Sequence, residues 1–146
     1  SADPGNRNRM WKKRRTKVRT MQPDLPSAIS HGSDASDVGL IGGGMTYGVI
    51  TEALEILDDM GISAQYRQPR TLWPMLDETP EFARRTGCTI VVEYNSTAQL
   101  ARLIVAHGGD ESRMHSILGF DGVPLRAHDL VQKVIQILYS RSNKVA

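Results

Sequence analysis

Between Cys88 and Leu103 the sequence CTIVVEYNSTAQLARL passes from a buried-strand pattern straight into a helix, and this junction constrains the fold more than any other stretch. Cys88, Ile90, Val91 and Val92 form a short, largely β-branched run without polar alternation, the pattern of a strand covered on both faces. Ser96 or Thr97 is placed to cap a helix that carries Leu100, Leu103 and Ile104 on one side. A strand of that kind feeding a helix belongs in a sheet with parallel neighbours, because parallel strands need a crossover to connect them. In open α/β sheets the carboxyl ends of the strands face ligands, cofactors or neighbouring domains. Glu93 and Asn95 therefore stand where function collects.

The same alternation repeats from Val38 onward. VGLIGGG (38–44) reads as a strand ending in glycines, and 46–60 as a helix with Val49, Ile50, Ala53, Leu54 and Leu57 along its inner face, closed by Gly61. A second strand starts at Ile62 and is broken at Pro69 and Pro74; a short helix spans 78–86, ended by Gly87. The strand 88–94 and a helix over 97–107 follow, then a strand and turn at 114–122 and a last helix from about Ala127 to Ser140. The order β-α-β-α-β-α-β-α predicts an α/β fold, a mainly parallel sheet with helices on both faces.

Residues 1–37 show no sustained apolar period and read as a linker or arm ahead of one domain, 38–146. Arg7, Arg9, Lys12, Lys13, Arg14, Arg15, Lys17 and Arg19 put eight of the 18 basic residues before position 20, leaving 10 basic and 15 acidic residues after it. The net charge of +2 thus joins a basic arm to an acidic domain. A solvated, partly helical connector accounts for the arm; contact with an acidic surface in a larger assembly is a second reading. Nucleic acid is a third, weakened because the domain carries no second basic patch. No apolar run approaches the roughly 20 residues that span a bilayer, and no signal sequence opens the chain, so a cytoplasmic protein is expected. The single cysteine, Cys88, reads as a small core residue.

The glycines Gly42, Gly44 and Gly48 spell GxGxxxG, one residue longer than the usual dinucleotide fingerprint. A turn built on them could admit an anionic nucleotide to a helix N-terminus. The end of the second strand, however, offers Arg67, Gln68, Pro69 and Arg70 where an acidic ribose ligand is wanted, which disfavours NAD and leaves an NADP reading on the two arginines. A tight strand-to-helix turn against a neighbouring domain is the plainer account. No GK[ST] or GxSxG motif occurs, and His31, His107, His115 and His128 lack metal-ligand spacing. Glu93 alone, without a partner carboxylate, metal or nucleophile, makes no mechanism; hydrogen bonds from Glu93 and Asn95 to an adjoining loop or to the next helix's backbone suit the corner better. Tyr66, Trp73 and Tyr139 read as core or interface aromatics.

Taken in order, these pieces resemble the C-terminal part of the alpha subunit of 2-oxoacid:ferredoxin oxidoreductases, especially the 2-oxoglutarate type. MWKKRRTKVRTM (10–21) is similar to the family's basic KRxxK connector, and GLIGGGMTYGVITEALEIL (39–57) to its strand, small-residue turn and EA-containing helix. VVEYNSTAQLARLI (91–104) resembles the ExNxxxQL signature through Glu93, Asn95, Gln99 and Leu100; FDGVPLRAHDLVQKV (120–134) looks like the closing GxP segment and helix. The family commonly has glycine before the QL pair, where this chain has Ala98, a residue a helix accommodates. The family's preceding pyrimidine-binding domain has no counterpart here, which implies a fragment, a separately built domain or a piece of a split subunit.

The resemblance implies a transketolase C-terminal-like, three-layer α/β/α sandwich with a five-stranded sheet that includes one antiparallel strand. It implies that the whole enzyme decarboxylates a 2-oxoacid on thiamine diphosphate with Mg2+, passes electrons through [4Fe-4S] clusters to ferredoxin, and forms an acyl-CoA from CoA. This chain is expected to contribute no catalytic, cofactor-binding or metal-binding residue. It is expected to pack on the pyrimidine-binding and gamma-type domains and the beta subunit, through Lys12, Lys13, Arg14, Arg15, Lys17, Gly44, Glu93, Asn95 and Gln99.

Overall fold

The computed structural model describes residues 3–145. Helix α1 spans Pro4–Thr20. The Asp3 carboxylate caps it by accepting from the amides of Gly5 at 3.1 Å and Asn6 at 2.8 Å. Pro4 occupies the first turn, where its missing N–H is no loss. The basic part of the arm is therefore one continuous helix, and none of its residues is buried.

Strands β1 (Ile29–Gly32), β2 (Val38–Ile41), β3 (Ala64–Gln68), β4 (Cys88–Glu93) and β5 (Met114–Leu118) form a sheet in the order β1-β3-β2-β4-β5. Helices α2 (Thr46–Asp59), α3 (Glu78–Arg85), α4 (Gln99–Ala106) and α5 (Ala127–Val145) connect or follow them. Strands β2 to β5 pair in parallel, and β1 pairs antiparallel with β3. The antiparallel strand comes from ISHG, inside the stretch that reads as arm. Its four residues alternate half-buried and exposed, too few and too polar to show a period. Tertiary contacts hold it: the His31 ring stacks on Tyr66 at 6.1 Å, and the Tyr47 hydroxyl and His31 Nε2 share a hydrogen bond of 3.0 Å.

Side chains alternate across the sheet and sort the core into two layers. Leu40, Tyr66, Ile90 and Val92 pack with Ile50, Ala53 and Leu57 of α2 and Leu130, Val131 and Val134 of α5. Ile41 and Val91, one residue out of phase, pack with Phe82 and Ala83 of α3 and Ala101 and Ile104 of α4. The result is a three-layer α/β/α sandwich. Among the described residues no helix is long and apolar enough to cross a membrane.

Candidate functional site at the carboxyl ends of the central strands

After β2 the chain leaves toward the α2 layer, and after the adjacent β4 it leaves toward the α4 layer. Crossovers that depart to opposite faces open a crevice at the strand ends. A cleft of about 610 Å³ lies there, lined by Gly43, Gly44, Thr46, Gln68, Arg70, Glu93 and Asn95 among others.

The two sides of the cleft are built by different means. On the β2 side, Gly42 is a close-approach position: a Cβ there would run into Thr46 Oγ1 and lie 2.6 Å from Ile50 Cδ1. Gly44 has φ +59°, the left-handed region glycine adopts at least cost, and has open space around it. On the β4 side, the Glu93 carboxylate is buried and used up on the start of α4. Its Oε2 accepts from the Leu100 amide at 2.7 Å and from Asn95 Nδ2 at 2.8 Å, and its Oε1 accepts from the Ala101 amide at 3.1 Å. Asn95 Oδ1 accepts in turn from the amides of Thr97 at 2.9 Å and Gln99 at 3.4 Å.

This arrangement replaces the cap read from Ser96 or Thr97. The N-cap position of α4 is Ala98, with φ 51° and ψ 50° and no capping side chain. Ala98 therefore stands outside the helix, and the turn it makes is one that glycine enters without the Cβ clash. Two side chains from the strand end supply the acceptors that an N-cap normally provides, and a carboxylate also suits the positive end of the helix dipole.

The sequence-named residues fall into two places. Gly44, Glu93 and Asn95 line the cleft, while exposed Gln99 stands beside it. Lys12, Lys13, Arg14, Arg15 and Lys17 are all exposed on α1. The two arginines are parted: Arg70 lines the cleft, but Arg67 turns to Glu78, 3.9 Å away, and lies over the Phe82 ring. Tyr66 is core, with burial pushing its hydroxyl up to about 12, whereas Trp73 and Tyr139 are exposed. Burial likewise raises the Cys88 thiol, against a smaller opposite pull from Arg141.

The chain has a transketolase-like α/β fold: a split-gene transketolase forming an inactive beta4 tetramer superposes with TM-score 0.59 at 24% identity, over 79% of this chain and 43% of that one. Within that class, the chain is homologous to a segment of the alpha subunit of 2-oxoacid:ferredoxin oxidoreductases. It is 33% identical to subunit alpha of 2-oxoacid:ferredoxin oxidoreductase 2 from Aeropyrum pernix, over 98% of this chain and 23% of the relative. The 2-oxoglutarate:ferredoxin oxidoreductase from Magnetococcus marinus, solved with 2-oxoglutarate, coenzyme A and succinyl-CoA bound, superposes with TM-score 0.79 at 29% identity. That match covers 93% of this chain and 24% of the Magnetococcus chain. The chain thus spans about a quarter of the length of these relatives. No protein-family model matches it.

Proposed function

We propose that the chain serves as a supporting, non-catalytic part of the alpha subunit of a thiamine diphosphate-dependent 2-oxoacid:ferredoxin oxidoreductase of the 2-oxoglutarate type. The whole enzyme oxidatively decarboxylates the 2-oxoacid with CoA, yielding acyl-CoA, CO2 and two reduced ferredoxins, in the cytoplasm. The observation that carries this reading is similarity along 98% of the chain to such an alpha subunit.

The chemistry of the residues supports the division of labour. Both oxygens of Glu93 are committed to backbone and Asn95 donors, which leaves no free carboxylate poised as acid or base at the strand end. The donor set does not fit an iron-sulfur cluster or a magnesium diphosphate. The one cysteine is buried, and among the described residues no group of three or more His, Cys, Asp or Glu gathers. In this reading the cofactors are held by other domains and by the beta subunit. Here the Gly44 turn, the Glu93, Asn95 and Gln99 corner, and the cations of α1 present surface to those partners. Co-purification tests this: the chain mixed with its partner subunits elutes as a complex, and mixed charge reversal at Lys13 and Lys17 weakens it. A chain that elutes alone beside fully assembled partners contradicts the reading.

A further inference from the structure

We infer that a second cleft, between α1 and the loop carrying Trp73, binds a nucleotide with two or more phosphates. The chain has two tryptophans and both line this one cleft, Trp11 56% exposed and Trp73 71% exposed. Large rings left in water and gathered together mark binding surfaces. Lys12, Arg14, Arg15 and Arg19 line the same cleft, and no acidic residue does. None of these four cations makes an ion pair among the described residues. Like charges gathered without a counter-charge repel, and a bound polyanion relieves that repulsion.

The two kinds of group suit the two ends of one ligand. Indole faces stack on bases, and guanidinium forks bind phosphate oxygens in pairs. The rings are already steadied: the Arg15 guanidinium lies over Trp11 at 4.7 Å, and Trp73 meets His107 edge-on at 5.9 Å. The cleft, about 740 Å³, is within the usual range of small-molecule sites. A small ligand is favoured over a nucleic-acid strand because the rest of the chain carries five more acids than bases from residue 20 onward and repels a long polyanion. Lys12, Arg14 and Arg15 of this cleft are also among the cations of α1 assigned to partners, so the partner role is tested at the two that stand apart from it. Lys13 and Lys17 do not line this cleft and lie on roughly the opposite side of the helix from Trp11.

Both tryptophans report on the site, so the test is intrinsic fluorescence of the whole chain at low salt, titrated with ADP, adenosine, pyrophosphate and a short oligodeoxyadenylate. ADP is expected to change the emission saturably and to bind at least about tenfold tighter than adenosine or pyrophosphate, since each of those supplies only one half of the recognition. The pair R14E and R19E, which keeps both indoles, and Trp73→Leu, which keeps Trp11, should each weaken ADP about tenfold or more while far-UV circular dichroism is unchanged. Absence of a saturable response to ADP would overturn the inference. So would pyrophosphate binding as tightly as ADP, or binding by the oligonucleotide alone.

Discussion

Glu93→Gln removes one oxygen from a buried carboxylate whose two oxygens hold three donors. The least costly placement of the amide keeps its oxygen at the Oε2 position, facing the Leu100 N–H and Asn95 Nδ2. Its NH2 then faces the Ala101 N–H, donor against donor, at a residue only 8% exposed. A bond to a charged acceptor is worth about 1.5–3 kcal/mol, and an orphaned buried N–H adds to its loss. The remaining two bonds also weaken on losing the charge, as does the favourable term at the helix N-terminus. The sum is about 3 kcal/mol. For a chain of 146 residues each kcal/mol moves the melting temperature by about 4 °C, so a drop of about 12 °C is expected. Thermal unfolding followed by far-UV circular dichroism measures the total, and amide exchange at Leu100 and Ala101 gives the local readout, faster in the variant. A melting temperature within 3 °C of the parent, with those two amides still protected, would refute the claim that this carboxylate builds the corner.

Ala98→Gly relieves a non-glycine residue at φ 51° and should raise stability by about 1 kcal/mol in urea unfolding; a loss would mean the left-handed turn is not what the site requires. Gly42→Ala should destabilise by about 2 kcal/mol, because its Cβ meets Thr46 and Ile50, whereas Gly48→Ala, in open space within α2, should stabilise by about 0.5–1 kcal/mol. Equal effects from the two would contradict the packing described. Tyr66 keeps its proton in the fold up to about 12, above the ordinary 10, so its contribution is whole below pH 10 and is lost as the pH rises toward 12. Urea unfolding at stepped alkaline pH should therefore show a shallower decline for Tyr66→Phe than for the parent, and parallel declines would count against it.

The two central parallel strands were legible because strands buried on both faces write themselves as apolar runs, as at Val38–Ile41 and Cys88–Val92, whereas β3 and β5, polar and only partly buried, were placed by the alternation around them. Strand β1 was not, since His31 and Tyr66 join through a long-range ring contact that leaves no local pattern. Helix α1 carries no apolar stripe, but Asp3-Pro4 at its start is a cap signal that locates its first turn. The corner at Glu93 and Asn95 was readable as a place and not as a geometry. Ser96 and Thr97 have better capping propensity than a glutamate five or more residues upstream, and only the tertiary path brings that glutamate to Leu100 and Ala101. The same path makes Ala98 part of a turn and not of the helix.

The proposal to be tested most directly is that this chain completes a 2-oxoacid:ferredoxin oxidoreductase without supplying its chemistry. The most direct test combines it with the partner subunits and follows 2-oxoglutarate- and CoA-dependent reduction of a viologen dye, with and without the chain. Activity that requires the chain, and that survives Glu93→Gln at a temperature where the variant stays folded, is the predicted result. Activity that is the same without the chain, or that Glu93→Gln abolishes while assembly and folding are intact, would contradict it.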